Sequence, residues 1–346
     1  MDCLVSNDTE ARHRAGSTRP DDRTRRITSL EVFCAIIILA IIFSGPLSRL
    51  LSGPGIQTGA TVFVAVCVQA LPFLVLGVLL SGLIAAFVPP SVFRKLLPSN
   101  QNAAVPIAGL AGVALPGCEC ASVPVARRLM QQGVPPAAAL TFLLAAPAVN
   151  PVVLVATAVA FPAEPRMVLA RFLGSMGTAV VMGWLWARFG NLNWIAERAR
   201  RRSEPRPGVS RWEVFTETAR HDLAEAGGFL VLGALMAAAL NVLVPASVFT
   251  SLSGQIVVGV LVMAVLAVVL ALCSEADAFI AASLSMLPLL PRLVFLVVGP
   301  AIDVKLFALQ SGTFGRSFAL RFGPATFVVA IVCAVLAGVL VLGGVR

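Results

Sequence analysis

Tyrosine is absent from this chain, histidine and lysine occur twice each, and only 12% of its residues are charged. Soluble domains carry about twice that charge, so a water-soluble fold is excluded. The two lysines, Lys95 and Lys305, do not follow a G-x-x-x-x-G pattern, and no P-loop ATPase is encoded. Both histidines, His13 and His221, lie outside the apolar segments, leaving no membrane imidazole for a serine or zinc mechanism. Asp277 and Asp303 lack the glycine-flanked setting of an aspartyl protease. The chain is therefore expected not to be an enzyme and to need no cofactor. Energy for any transport must come from an ion gradient or another chain. Seven cysteines are an odd set, three of them (Cys34, Cys67, Cys333) inside apolar segments, and imply no disulfide framework.

What remains is apolar. Hydrophobic residues make up 58% of the chain, in runs longer than the roughly 20 residues a helix needs to cross a bilayer. This is an all-α integral membrane protein in contact with the lipid bilayer. Its formal charge of +9 sits between apolar segments, where topology explains it, and no stacking aromatics accompany the arginines, so nucleic-acid binding is excluded. All four tryptophans (Trp184, Trp186, Trp194, Trp212) flank the central basic loop, as expected of rings at the headgroup layer.

The organisation expected is a disordered basic tail at 1–27, a first transmembrane helix at 28–50, a membrane repeat at 60–188, a basic linker at 189–223 and a second membrane repeat at 224–344. Arg25-Arg26 before an apolar run resembles a twin-arginine signal in outline, but no convincing small-residue cleavage site follows, so the segment reads as an anchor. Apolar segments fall near 30–48, 60–88, 137–161, 166–188, 224–247, 292–311 and 322–344. Two regions, 103–132 and 253–290, hold two short apolar arms around a polar break and read as helical hairpins.

The repeat is visible in the letters: Phe73-Leu-Val-Leu-Gly77 recurs as Phe229-Leu-Val-Leu-Gly233, and 11 of the 21 positions from Phe73 to Phe93 match those 156 further on. A cytoplasmic N-terminus puts 20 of the 26 Lys and Arg on one side and leaves Arg49, Arg166, Arg171, Arg292 and Arg346 outside, which obeys the positive-inside rule for a protein of the inner or plasma membrane. With each hairpin counted as returning to its own side, the copies are separated by an odd number of crossings. They are expected to be inverted repeats in a polytopic helical bundle with two broken helical hairpins, re-entrant or short-spanning, whose polar breaks meet near the midplane.

Those breaks hold the candidate chemistry. Cys118-Glu119-Cys120 lies in the first, and Cys273-Ser274-Glu275-Ala276-Asp277 in the second. Thiolates prefer soft ions, so Cys118, Cys120 and Cys273 converging would suit a metalloid or soft metal. The competing reading makes them small residues at helix contacts. Glu119, Glu275, Asp277 and Asp303 are candidates for ion or proton coupling, because intramembrane charge is costly and functional by default. A structural pair of Asp303 with Lys305 competes, although positions i and i+2 do not share a helix face. Pro147-Ala-Val-Asn150-Pro151 corresponds to Pro300-Ala-Ile-Asp303-Val304, each proline breaking a helix beside a polar ligand, Asn150 or Asp303. Such kinks serve packing or a central binding site.

With Gly117 to Pro124, Ala145 to Pro151, Cys273 to Phe279 and Gly299 to Lys305 in this order, the sequence resembles the ArsP-like (YraQ-type) permease family over roughly residues 60–344. The resemblance implies a bacterial inner-membrane permease. The best understood type exports trivalent organoarsenicals such as methylarsenite with cysteines as suspected ligands, which strengthens Cys118 and Cys120 as functional. Glu119 between the cysteines departs from relatives with a small residue there. The expectation is a secondary exporter of a small-molecule or metalloid substrate. Its rivals are a permease for zinc or a small anion, and a non-transporting scaffold or thiol-redox partner.

Overall fold

The computed structural model describes residues 54–88, 92, 98, 100–114, 119–200, 210–243, 256–284 and 287–343. The expected tail, the first transmembrane helix, Cys118 and, apart from Val92, the last three positions of the two matching stretches, 91–93 and 247–249, lie outside the described residues. Those that are described form helices and no strands, as the composition requires. Among the described residues, six stretches are long and apolar enough to cross a membrane: 56–87, 136–160, 166–189, 211–239, 289–314 and 316–342.

The helices run in the order α1 (Pro54–Phe87), α2 (Gln101–Ala111), α3 (Glu119–Gln131), α4 (Pro136–Val149), α5 (Pro151–Ala160), α6 (Arg166–Phe189), the short α7 (Glu197–Arg200), α8 (Arg211–Leu243), α9 (Ile256–Leu270), α10 (Ala276–Ser283), α11 (Leu289–Ala301), α12 (Val304–Phe314) and α13 (Arg316–Leu342). Apart from α7, this order repeats: α1 to α6 correspond to α8 to α13. Packing repeats with it. α2 lies on α4 as α9 lies on α11, and α4 on α6 as α11 on α13. α3 meets α12, while its counterpart α10 meets α5. The second arm of each hairpin thus touches a helix of the other half.

Both broken spans form where the sequence demands. Pro147 and Pro300 each remove a helical hydrogen bond near the end of α4 and α11, and the next helix restarts from an extended residue, Asn150 or Asp303. These spans form the centre. In its most apolar window the 289–314 span is 89% buried, against 28% for 56–87 and for 316–342, whose outer faces suit lipid. The hairpin arms α2, α3, α9 and α10 are 11, 13, 15 and 8 residues long. At about 1.5 Å per residue, none reaches across the roughly 30 Å of hydrocarbon alone.

The structure departs from three readings of the sequence. α8 starts at Arg211, so the last 13 positions of the expected linker are helical. Trp186 is packed inside the protein, 8% exposed and edge-on to Trp194, Phe318 and Phe322, where a ring anchored in headgroups would be open to them. Arg171, placed outside by the charge count, is fully buried within α6.

Candidate functional site

α3 begins at Glu119, within the first polar break, and this position sends the carboxylate and the Cys120 thiol inward. Glu119 is 1% exposed and Cys120 fully buried. In the second hairpin α9 ends at Leu270, the chain unwinds through 271–275, and α10 starts at Ala276. The unwound stretch contains Cys273, 1% exposed, and Ala271, a non-glycine residue at φ +49°. Left-handed backbone of this kind costs on the order of 1–3 kcal/mol and is characteristic of functional sites.

Lys305, at the second position of α12, reaches into both breaks. Its Nζ lies 2.5 Å from Glu119 Oε1 and 3.5 Å from Asp303 Oδ2, and donates to the carbonyls of Ala271 (2.9 Å) and Leu272 (3.2 Å). The approach to Glu119 is charge to charge, off the axis of a well-aligned hydrogen bond. Cys120 and Cys273 belong to one buried cluster with Leu306, and both thiols lie within electrostatic reach of Lys305. Two of the three expected thiols are thus brought to one locality. The third, Cys118, lies outside the described residues.

Asp303 and Lys305 meet despite their i, i+2 spacing because Asp303 is not helical. It is the N-cap of α12, in extended backbone, with its Oδ1 accepting from the Leu306 amide at 2.6 Å. Asn150 does the same for α5: its Oδ1 accepts from Val153 N at 3.0 Å, and its Nδ2 donates to Ala146 O at 3.1 Å. The two matched breaks therefore close in the same way, with part of each polar side chain committed to a helix start.

Asp277 belongs to a second buried pair. Arg171 Nη2 donates to its two carboxylate oxygens at 2.9 and 3.0 Å and to Ser274 O at 2.9 Å, while Nη1 donates to Thr157 Oγ1 at 2.7 Å. Sequence reasoning missed Arg171. The signal was available, since it interrupts an apolar helix just as Lys305 does. Glu275 is half-buried, within electrostatic reach of Glu119, Arg171 and Lys305, and its carboxylate oxygens have no hydrogen-bond partner among the described residues.

At its polar break each hairpin is thus tied to the opposite half by a buried ion pair: Glu119 of the first to Lys305, and Asp277 of the second to Arg171. Neither set is a metal centre by ligand count, because among the described residues no three His, Cys, Asp or Glu side chains are grouped to hold an ion.

A second polar network lies at the far end of α3. Asp222 of α8, 5% exposed, accepts from Ser81 Oγ at 2.7 Å and lies 3.9 Å from Arg127 and 3.8 Å from Arg128, while Glu225 pairs with Arg127. In the charge count both arginines figured only among the 20 basic residues expected on the cytoplasmic side.

A protein family described as "Predicted permease" (ArsP_1) matches residues 56–339, the region that contains both hairpins and both breaks. A Streptococcus mutans protein named as a subunit of a two-component membrane permease complex is 33% identical over 278 residues, 79% of this chain and 92% of the relative. Bacillus subtilis YcgR is 34% identical over 278 residues, covering 79% of this chain and 94% of its own length. No solved structure matches. The fold, the order of the motifs and these relatives agree that this chain belongs to the ArsP-type predicted permease family.

Proposed function

We propose that the chain is a secondary permease, an ion-gradient-driven exporter of a small solute that binds at the seam between two inverted repeats. The observation carrying this reading is the pair of reciprocal ties, Glu119 to Lys305 and Asp277 to Arg171, which link each hairpin to the other half. Transporters with discontinuous helices bind cargo and coupling ions where such repeats meet. At this seam four acids (Glu119, Glu275, Asp277, Asp303) face two bases (Arg171, Lys305). That imbalance favours cationic partners, protons or a cationic cargo, and Glu275, not tied to a single base, is the group best placed to exchange one. An anionic cargo is disfavoured, because Asn150 and Asp303 cap the helix starts that would attract it.

Cys120 and Cys273, from different halves, suit a thiophilic cargo such as a trivalent organoarsenical, with Cys118 as a third ligand. Cys120→Ser with Cys273→Ser should abolish methylarsenite resistance in a sensitive host while the protein remains in the membrane. Unchanged resistance would remove the thiols from the mechanism. By analogy with the two-component relative, a second membrane subunit is a proposed partner.

A further inference from the structure

The surroundings of Lys305 are more than an ion pair requires. Its ammonium is enclosed by four oxygens, Glu119 Oε1, Ala271 O, Leu272 O and Asp303 Oδ2, at 2.5 to 3.5 Å. They come from three places: the start of α3, the unwound end of α9 and the cap of α12. Two are backbone carbonyls in the unwound stretch just past α9, next to the helix C-terminus with its partial negative charge, and the unusual φ of Ala271 falls at this carbonyl pair. Unwound carbonyls and half-helix C-termini are the groups that coordinate a coupling cation in transporters with broken helices. The side chain is delivered from a fixed point, since a Cβ built on Gly233 would stand 2.6 Å from Lys305 Cα.

We propose that this oxygen cage is a monovalent-cation site whose cation is supplied by the protein itself as the Lys305 ammonium. The tethered charge holds three elements of both halves together as a bound metal cation would, and removes the need for sodium. Its role in coupling rests on the permease reading, but the site can be tested without transport.

Lys305→Ala empties the cage, and Lys305→Met fills it with apolar atoms. Thermal unfolding of the purified proteins is compared in sodium, potassium and methylammonium chloride against choline chloride at equal ionic strength. Lys305→Ala should gain a saturable rise in Tm of a few degrees with at least one small cation over choline, as binding to the folded state requires. Wild type and Lys305→Met should show no such difference. An equal Tm for Lys305→Ala in all four salts, or an equal gain by wild type, overturns the site. A charge reversal, Glu119→Lys with Lys305→Glu, provides a separate decision. An ordinary ion pair tolerates reversal, whereas here a carboxylate would face two carbonyls and Asp303, so the reversed protein should be no more stable than either single variant. Recovery of the wild-type Tm overturns the proposal, and this comparison decides alone if Lys305→Ala does not fold.

Discussion

Glu119 Oε1 lies 2.5 Å from Lys305 Nζ, with each side chain 1% exposed, so the first residue of α3 and the second of α12 neutralise one another across the two halves of the chain. Breaking such a pair from one side costs about 3–5 kcal/mol, because the surviving charge remains buried. Lys305→Met should therefore lower Tm sharply, leaving Glu119 and Asp303 without their base. Adding Glu119→Gln removes one stranded charge. The double variant should unfold above Lys305→Met in a thermal scan, and a double variant at the sum of the two losses would show that the charges do not interact.

Arg171 is a different case, because its geometry matters as well as its charge. One guanidinium nitrogen serves Asp277 and Ser274 O while another serves Thr157. Lysine has a single compact ammonium and cannot divide itself in this way. Arg171→Lys is expected to be markedly destabilised, and Thr157→Val to lose about 1–3 kcal/mol by leaving a buried N–H unmet. Lysine performing as well as arginine in denaturant unfolding would reduce the contact to charge alone.

Much of the architecture was legible because membrane helices announce themselves locally. Length, apolarity and the Pro147 and Pro300 breaks each follow from nearby residues, whereas Asn150 and Asp303, read from the sequence as polar ligands, also cap the helices that restart there. The partners were less legible. Nothing near Glu119 identifies Lys305, and nothing near Asp277 identifies Arg171, since these pairings form only after the halves pack. The i, i+2 argument against Asp303 and Lys305 assumed a continuous helix, and the break at Asp303 removes that assumption. Arg171 was misplaced for a related reason: five residues from the start of an apolar helix, it was counted with the loop charges, whereas Asp277 draws it into the interior.

The repeated glycines make a sharper prediction than their repetition suggested. A Cβ on Gly77 would stand 2.5 Å from Ala121 Cα, and one on Gly233 2.6 Å from Lys305 Cα. Backbone at that distance cannot yield as a side chain can. Gly227 and Gly228, in the same helix as Gly233, have nothing within 4 Å. Glycine to alanine in an open helical position gains about 1 kcal/mol of helix propensity. Gly227→Ala and Gly228→Ala should be neutral or stabilising, whereas Gly77→Ala and Gly233→Ala should separate α1 from α3 and α8 from α12. Purified-protein Tm distinguishes them, and four equal responses would mean that the close packing is not maintained.

The network around Asp222 predicts where α3 would loosen first. Ser81, Arg127 and Arg128 come from α1 and the C-terminal end of α3, and all three approach one nearly buried carboxylate on α8. Ser81→Ala removes a donor but leaves Asp222 with the two arginines, so its cost should stay near 1 kcal/mol. Asp222→Ala removes the shared acceptor and leaves two guanidinium groups packed together, with Glu225 paired to Arg127. The greater effect should be local, because Glu119 at the opposite end still ties α3 to Lys305. Amide exchange should therefore accelerate in the last turns of α3, near Arg127 to Gln131, while the first turn near Glu119 stays protected. Uniform acceleration along α3 would mean that its two ends are not held independently, and that the Glu119 to Lys305 tie cannot keep the helix in place alone.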